Sequence, residues 1–239
     1  MSRSAIVTGG SSGIGFAIAR MLRDEGYDLT LVSRTAEKIE RAAAELGATP
    51  IAADVSDPDA CARVVAEHHE RAGRLDMLVN SAGKGIAGSV ETMPVKHFDM
   101  QLGVNLRGMF VLTQAAIPLL RETRGWIVNM SSITGTIPSP GLAAYAAAKA
   151  GIISLTRSLN AELDADGVRA IAICPAFVDT PMAEWSGVAK SEMIQPEDMA
   201  EIVRLCLRLS AHARISQIVV ENMSGNTDIL SRGDVLRLE

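Results

Sequence analysis

Residues Trp126–Ala150 read WIVNMSSITGTIPSPGLAAYAAAKA, and their character changes twice along the stretch. The first five residues form a short, largely apolar and bounded run, which predicts a buried strand. Gly135, Pro138 and Pro140 exclude regular structure from the loop that follows. The alanines after Leu142 favour a helix. The stretch therefore predicts a strand, a loop that begins at two serines, and a helix.

A tyrosine and a lysine stand four residues apart on the predicted helix. This spacing places Tyr145 and Lys149 on one face, with about 6 Å of helix rise between them. A free phenol has a pKa of about 10, and a nearby ammonium lowers that pKa because it favours the phenolate. Such a phenol can exchange a proton with an alkoxide or alcohol, while the Ser132 hydroxyl at the strand end hydrogen-bonds the substrate oxygen. The same spacing also arises by chance on many helices, so the rest of the chain must support this chemistry.

Length and composition indicate one α/β domain. The chain has 239 residues, of which 48% are hydrophobic, and this is enough for a sizeable core. The net charge is −5 and no basic patch is present, so we expect no nucleic-acid partner. Three widely spaced cysteines suit a reducing cytosol. The four histidines have no metal-ligand spacing, and we expect each to be a solvated helix residue and no metal to be bound.

The N-terminal sequence predicts a cytoplasmic protein. A strand and a turn follow Met1 almost at once, which leaves no room for a signal peptide. No apolar run approaches the roughly 18 residues that a membrane span needs. We therefore expect no membrane partner.

A glycine-rich turn, Thr8-Gly9-Gly10-Ser11-Ser12-Gly13-Ile14-Gly15, follows the first predicted strand. Such a turn before a helix presents backbone N–H groups and a helix N-terminus to an anion. Gly9 permits the tight turn, Gly13 lets the backbone approach a pyrophosphate, and Gly15 lets the helix pack close to the strand. A purely structural turn is the alternative.

The end of the second predicted strand, Asp28–Ser33, indicates which nicotinamide cofactor is used. An NAD site places an acidic residue here, on the ribose hydroxyls. This chain instead has Ser33 at that position, followed by Arg34. A guanidinium offers a fork of charged donors that suits a 2′-phosphate. The pattern favours NADP(H) over NAD(H), and the alternative is a solvated arginine at a strand end.

Strands and helices alternate seven times with short connections. This alternation predicts an α/β fold: a single Rossmann-type doubly wound domain over residues 1–239, with a seven-stranded parallel sheet and helices on both faces. Ligands of such sheets bind at the carboxyl ends of the strands. The positions predicted at those ends are Thr8–Gly15, Asp54, Asn80–Gly83, Ser132 and Pro175.

Two further stretches bear on the site. Lys96–Leu120 is predicted as one long helix, with Asn105 near its middle. Asparagine is a poor helix residue, so Asn105 is either a surface residue or a buried polar group with a function. Residues 176–195 are predicted as an irregular loop that contains Phe177 and Trp185, although aromatic residues make up only 3% of the chain. Its apolar residues indicate a substrate lid or an interface.

Taken together, these motifs resemble the classical branch of the short-chain dehydrogenase/reductase family, over roughly residues 4–221. The glycine-rich turn and Asp54 match the family's cofactor site, and Asn80-Ser81-Ala82-Gly83 matches its Asn-Asn-Ala-Gly motif. Asn105 matches the catalytic-helix asparagine. Ser132, with Tyr145 thirteen residues later and Lys149 four after that, matches the active-site set. The spacing to Tyr145 favours Ser132 over Ser131.

The resemblance implies a role for each of these residues. Tyr145 would be the general acid/base, Lys149 would lower its pKa and hold the nicotinamide ribose, and Ser132 would orient the carbonyl. Asn105 would support a water in the proton relay, and Thr180 would hold the carboxamide. The implied cofactor-binding residues are Thr8, Gly9, Ser11, Ser12, Gly13, Ile14, Gly15, Ser33, Arg34, Asp54, Val55, Asn80, Ala82, Gly83, Tyr145, Lys149, Pro175, Val178 and Thr180.

The implied function is an NADP(H)-dependent oxidoreductase that interconverts a ketone or aldehyde and an alcohol, with an apolar or acyl-ketone substrate. The alternatives are a catalytically silent NADP(H)-binding sensor or regulatory protein, and an isomerase or dehydratase on the same fold. The family also implies a homodimer or homotetramer.

Three positions depart from the family pattern. Ala176 replaces the usual glycine after the proline, and Ser81 replaces an asparagine. Residues 219–225 lack the usual Asp-Gly-Gly, which bears on the tetramer because subunits often meet through this last strand.

Overall fold

The structure is a computed structural model that describes residues 2–223. Met1 and residues 224–239 lie outside the described residues, and so does the end of the segment that lacks Asp-Gly-Gly. Seven parallel strands form one sheet in the order β3-β2-β1-β4-β5-β6-β7, as the alternating pattern predicts. The strands are β1 Ser4–Thr8, β2 Asp28–Ser33, β3 Thr49–Ala52, β4 Met77–Asn80, β5 Trp126–Met130, β6 Arg169–Pro175 and β7 Gln217–Val220.

Helices cover both faces of the sheet, which confirms the doubly wound architecture. The helices are α1 Gly13–Asp24, α2 Ala36–Leu46, α3 Pro58–Ala72, α4 Val95–Leu102, α5 Gly108–Thr123, α6 Ala143–Glu162 and α7 Pro196–Arg208. Side chains alternate along each strand: Ala5 and Val7 pack with α1, α2 and α7, whereas Ile6 packs with α3, α5 and α6. The strands are largely apolar because helices bury the sheet on both faces.

The order of the strands reverses at β1. This strand pairs with β2 on one side and with β4 on the other. The helices that follow β1 and β4 therefore leave in opposite directions, which opens a crevice at the carboxyl ends of these strands. The glycine-rich turn follows β1 directly, so the fold places it in this crevice.

Capping residues set the points at which the helices begin and end. Gly47 ends α2 in the left-handed conformation with φ 63°, which glycine adopts without strain. Asp57 begins α3, and its side chain accepts a hydrogen bond from the Asp59 N–H at 3.0 Å. Pro58 occupies the first turn, where its missing N–H costs nothing.

The long helix predicted over Lys96–Leu120 is interrupted. A five-residue π-helical segment, Gly103–Arg107, separates α4 from α5. Asn105 lies in this segment and is fully buried. The structure therefore selects the second of the two alternatives for Asn105, a buried polar group, and insertions of this kind are frequent at functional sites.

The same helical run corrects the expectation about apolar length. By length and composition alone, Val95–Thr123 could cross a membrane, because it spans 29 residues with a mean hydropathy of 1.2 in its most apolar window. Polar residues interrupt the run, so it is not continuously apolar, but they are too few to bring its average hydropathy down to that of an ordinary polar helix. Leu112, Ala116 and Leu120 bury one side of the run in the core. A core helix passes the same test, so the run is weak evidence for a membrane span.

The prediction that all four histidines are solvated is wrong for His68. This residue of α3 is fully buried at the amino-terminal edge of the sheet. Its Nδ1 lies 2.8 Å from Thr30 Oγ1, and its Nε2 lies 3.0 Å from the Arg74 carbonyl and 3.2 Å from Ser4 Oγ. Burial lowers the pKa of His68 to about 4, and hydrogen bonding to the Arg74 carbonyl offsets this only in part.

Candidate active site

A cleft of about 840 Å³ lies at the carboxyl ends of the strands. Eighteen of the predicted site residues line it: Gly9, Ser11, Ser12, Gly13, Ile14, Gly15, Ser33, Arg34, Asp54, Val55, Ala82, Gly83, Ser132, Tyr145, Lys149, Pro175, Val178 and Thr180. The other three, Thr8, Asn80 and Asn105, lie behind the cleft wall.

Thr8 and Asn80 support the cleft wall and do not line it in this structure. Thr8 Oγ1 accepts hydrogen bonds from the backbone N–H groups of Ser81 and Ala82, both at 3.1 Å. The Asn80 amide donates to Thr113 Oγ1 at 3.1 Å and to Asn129 Oδ1 at 2.9 Å. The Thr8 hydroxyl and the Asn80 amide nitrogen are therefore engaged within the protein, whereas the buried Asn80 Oδ1 has no partner among the described residues.

The glycine-rich turn brings its backbone close to the neighbouring loops. Gly9 has φ 66°, and a Cβ there would lie 2.8 Å from the Ser81 carbonyl oxygen. Gly13 has φ 54°, and a Cβ there would lie 3.0 Å from Thr180 Cγ2. The Ser12 side chain makes no capping hydrogen bond at the start of α1. The first N–H groups of α1 therefore face the cleft, and this cradle fits a pyrophosphate.

The opposite end of the cleft carries the charged residues at the ends of β2 and β3. Burial raises the pKa of Asp54, but two hydrogen bonds from Ser56 and the charge of Arg34 outweigh this effect, so the pKa is lowered overall. Arg34 is exposed, and Lys38 on the first turn of α2 lines the same end. The sequence analysis does not identify Lys38 as a site residue. The sequence does contain an indication of this role, because Lys38 follows Arg34 by four residues, about one helical turn.

Tyr145, Lys149 and Ser132 meet in the middle of the cleft. Lys149 is 4% exposed, and its Nζ donates to the Met130 carbonyl at 2.7 Å and lies 5.3 Å from the centre of the Tyr145 ring. Ser132 Oγ accepts from the Thr134 N–H at 3.2 Å, which leaves its own proton for another acceptor. The neighbouring Ser131 donates its hydroxyl proton to the Lys149 carbonyl at 2.8 Å. The two serines therefore differ in whether the backbone accepts their hydroxyl proton.

The predicted effect of Lys149 on Tyr145 is not found in this structure. Burial raises the pKa of Tyr145 to about 12, and only the hydrogen bond with Ser132 acts in the opposite direction. Burial also lowers the pKa of Lys149 to about 8. The physical reason is that both groups lie in an enclosed site, where the loss of solvation disfavours each charged form. Tyr145 is therefore a neutral phenol near neutral pH.

Asn105 acts on the loop beside Lys149. Its Oδ1 accepts from the Lys84 N–H at 3.0 Å, and its Nδ2 donates to the carbonyls of Lys84 at 2.7 Å and Gln101 at 2.8 Å. These bonds commit the side chain to the backbone of the loop and of the preceding helical turn. A Cβ at Gly83 would lie 3.0 Å from Asn105 Oδ1 and 3.7 Å from Lys149 Nζ. Asn105 thus holds this segment against the lysine.

The predicted irregular loop forms the remaining wall of the cleft. It contains two short 3₁₀ segments, Pro181–Ser186 and Lys190–Glu192. The rings of Phe177 and Trp185 are 6.0 Å apart with an edge-to-face angle of 72°, and both line the cleft. The apolar residues of the loop therefore pack toward the active site.

Two buried oxygens at the carboxyl ends of the strands have no hydrogen-bond partner in the part of the chain that the structure describes: Asn80 Oδ1 behind the cleft wall and Thr134 Oγ1 in it. Within residues 2–223, no group of three or more histidine, cysteine, aspartate or glutamate residues could hold a metal ion.

The fold and the cleft define an α/β protein of the nucleotide-binding type. The family model described as short chain dehydrogenase matches residues 3–190. An uncharacterized oxidoreductase of Staphylococcus epidermidis is 34% identical over 222 residues, covering 90% of this chain and 95% of that protein. The oxidoreductase UcpA of Salmonella typhimurium is 40% identical over 189 residues, covering 76% of this chain and 72% of that protein. The chain belongs to the short chain dehydrogenase family.

Solved structures agree with this assignment. An alcohol dehydrogenase from the archaeon Thermococcus sibiricus, complexed with 5-hydroxy-NADP, superimposes with a TM-score of 0.86 and 29% identity. A metagenomic short-chain oxidoreductase in complex with NADP superimposes with a TM-score of 0.81 and 33% identity. Each alignment covers 92% of this chain and 97% of the other.

Proposed function

We propose that the protein is an NADP(H)-dependent oxidoreductase that interconverts a ketone or aldehyde and an alcohol. The observation that carries this proposal is the convergence of Ser132, Tyr145 and Lys149 in a cleft that the glycine cradle also lines. A cofactor bound along the cleft would supply the hydride. The amides at the start of α1 would hold its pyrophosphate, Lys149 its nicotinamide ribose, and Thr180 its carboxamide.

The chain's own residues would handle the proton. The Ser132 hydroxyl, whose proton is not used within the turn, would hydrogen-bond the carbonyl oxygen of the substrate. Tyr145 is a neutral phenol because burial raises its pKa to about 12, so it can donate its proton to the alkoxide that forms on reduction. The reverse direction needs the phenolate, whose formation requires more stabilisation than Lys149 gives in the free protein.

The preference for NADP(H) rests on charge at the end of β2. Arg34 and Lys38 line this end of the cleft, and Ser33 stands where an acidic residue would meet the ribose hydroxyls. Two cations suit a 2′-phosphate. The two structural relatives named above were solved with NADP or a derivative of it, which supports the same choice.

The wall of the cleft supports an apolar substrate or an acyl ketone. Leu142, Phe177, Met182 and Trp185 line the side next to Tyr145. We propose that residues 176–195 act as the substrate loop of one cytoplasmic domain that spans the whole chain, without a nucleic-acid or membrane partner.

We also propose that the protein forms a homodimer or homotetramer through α4 and α5. Val95, Phe98, Met100 and Phe110 are apolar and exposed there, and a symmetric self-contact would bury them. Light scattering at micromolar concentration tests this, and Phe110→Glu should lower the mass, whereas Leu205→Glu on α7 serves as the exposed apolar control. A monomer mass for the unaltered protein contradicts the proposal.

The test of the function is NADPH oxidation measured with a panel of ketones and aldehydes, beside NADPH binding measured by fluorescence. We expect NADPH to bind and to be consumed with at least one apolar carbonyl compound. Binding without turnover across the panel would instead support the sensor or regulatory protein. Conversion of a substrate with no net NADPH consumption would support an isomerase or dehydratase.

A further inference from the structure

One buried side chain joins the two ends of the substrate loop to the last strand. Asn222, just after β7, is 6% exposed. Its Oδ1 accepts from the Phe177 N–H at 3.0 Å, and its Nδ2 donates to the Phe177 carbonyl at 3.1 Å and to the Glu192 carbonyl at 2.9 Å. Phe177 begins the loop and Glu192 lies near its end. A single amide therefore fixes both ends of the loop.

These bonds extend the sheet beyond the point where its backbone ladder stops. The last backbone bond between these segments runs from the Ala176 N–H to the Val220 carbonyl at 2.8 Å. At the next residue, the Asn222 side chain takes the place of a strand and pairs with both polar groups of Phe177.

On its other side, the segment that begins at Phe177 pairs with the returning end of the loop. The Ile194 N–H donates to the Phe177 carbonyl at 3.0 Å, and the Asp179 N–H donates to the Ile194 carbonyl at 2.9 Å. The segment is held between Asn222 and Ile194. Because backbone groups are bonded on both sides of it, this segment has one defined path across the cleft.

The residues that this clamp holds are those that face the cofactor and the substrate. Val178 and Thr180 line the cleft next to the glycine-rich turn, and Thr180 Cγ2 would lie 3.0 Å from a Cβ at Gly13. Phe177 lines the substrate side. Asn222 does not line the cleft, so any effect on ligands must act through these residues.

We propose that Asn222 is a positioning residue that sets the conformation of the substrate loop and, through it, the affinity for both cofactor and carbonyl substrate. The proposal rests on the proposed function for its kinetic part only. Its structural part concerns the free protein and can be tested without turnover.

Asn160 is a matched control, because it bonds to the beginning of β6, whereas Asn222 bonds to the residue Phe177 just beyond the end of β6. Asn160 on α6 makes the same pair of bonds to a single residue of β6: its Oδ1 accepts from the Ala170 N–H at 2.8 Å, and its Nδ2 donates to the Ala170 carbonyl at 2.8 Å. It is 4% exposed. Asn160→Ala should lower global stability by an amount similar to Asn222→Ala, because both remove a buried amide that bridges a backbone residue. It should leave the loop unchanged.

The first measurement is the rate of trypsin cleavage after Lys190, followed by mass spectrometry on the free protein. Lys190 lies on the loop, and its side chain is 73% exposed. We expect Asn222→Ala to raise this rate about tenfold or more, because three hydrogen bonds no longer oppose local opening and cleavage tracks the open population. Asn160→Ala should cleave after Lys190 at the rate of the unaltered protein.

A second variant covers the case in which Asn222→Ala does not fold. Asn222→Asp keeps the size and the acceptor for the Phe177 N–H, but its carboxylate faces two carbonyl oxygens to which it cannot donate. We expect cleavage after Lys190 at least as fast as in the alanine variant, and Asn160→Asp is its control.

The second measurement separates binding from chemistry. The Kd for NADPH, measured by fluorescence, and the KM for the carbonyl substrate should both rise several-fold in the Asn222 variants, with a smaller change in kcat. Equal cleavage after Lys190 in the Asn222 and Asn160 series, or an unchanged Kd for NADPH, would overturn the positioning role. If the unaltered protein oxidises no NADPH with any carbonyl, the proposed function fails, while the cleavage and Kd measurements still decide the role of Asn222.

Discussion

The two edges of the sheet treat buried polar groups differently. At the amino-terminal edge, His68 has partners at both ring nitrogens, and Arg71 and Arg74 pair with Asp28 and Asp76, each at 2.6 Å. At the carboxyl edge, Thr134 Oγ1 has no partner in the described part of the chain, and the only hydrogen bond of Lys149 Nζ found there is to Met130. These groups of the amino-terminal edge are paired internally, whereas the groups beside the cleft retain unused hydrogen-bonding capacity.

This difference shows that a shifted pKa does not by itself identify an active site. Burial lowers the pKa of His68 to about 4 and that of Lys149 to about 8. Desolvation is the larger cause in both. Only Lys149 lines a cleft with a phenol and a free hydroxyl proton beside it. Geometry and access, more than the size of the shift, distinguish the carboxyl edge, with the proposed active site, from the amino-terminal edge.

The largest expected effect is at the carboxyl edge, at the proposed proton donor. Tyr145→Phe removes one hydroxyl and keeps the ring, so the fold and NADPH binding should persist. The rate of carbonyl reduction should fall about 10²-fold or more, as is usual when general acid catalysis is lost. The measurement is kcat/KM beside NADPH binding by fluorescence.

The chain supplies a control for this change in its only other tyrosine. Tyr27 is 7% exposed near the amino-terminal edge, with Arg3 stacked 4.5 Å from the ring centre. Tyr27→Phe should leave kcat/KM almost unchanged. If both variants keep near-full turnover, Tyr145 is not the proton donor.

The next effect concerns the choice of cofactor. Arg34→Leu should lower the preference for NADPH over NADH, because one charge-assisted contact with the 2′-phosphate is lost. Such a contact is worth about 1.5–3 kcal/mol, or roughly 10- to 150-fold in the ratio of kcat/KM values. Arg41→Leu, on the same helix as Lys38 but away from the cleft, is the control. Equal use of both cofactors by the unaltered protein contradicts the assignment.

A smaller effect is expected at the amino-terminal edge of the sheet, and it concerns the stability of the protein and not its chemistry. The pKa of His68 in the folded protein is about 4, below an unfolded value of about 6.5. The unfolded state therefore binds a proton that the folded state does not, so stability is intact above pH 6.5 and falls as the pH is lowered toward 4. Between pH 7.5 and 5 the loss is about 2 kcal/mol.

Urea unfolding at these two pH values measures this loss. His68→Gln should remove this component of the pH dependence, whereas His69→Gln, at the exposed neighbouring position, should retain it. The same pH dependence in both variants would mean that His68 is not its source.

The smallest effect belongs to a residue near the cleft that takes no part in the chemistry. Asp57→Ala removes the cap of α3 and should lower the free energy of unfolding by about 1 kcal/mol. The kcat/KM for reduction should not change, since Asp57 does not line the cleft. Asp59→Ala, two residues further along, is a control that keeps the cap, because only the backbone N–H of Asp59 takes part in it. A large loss of activity in Asp57→Ala would show that the start of α3 takes part in the function of the cleft.

The sequence by itself determined the doubly wound sheet, most helix ends and a set of candidate site residues, most of which line the cleft. These follow from local rules: short apolar runs make buried strands, Gly47 and Asp57 set helix ends, and spacing along one helix brings Tyr145 and Lys149 together.

Only the tertiary structure decided how these residues are surrounded. The burial that raises the pKa of Tyr145, the π-helical segment that buries Asn105, the enclosure of His68 and the reach of Asn222 to Phe177 all depend on contacts between distant parts of the chain. Desolvation and hydrogen-bond satisfaction are properties of such contacts, because they depend on which groups exclude water from a site and not on the residue's own neighbours in sequence.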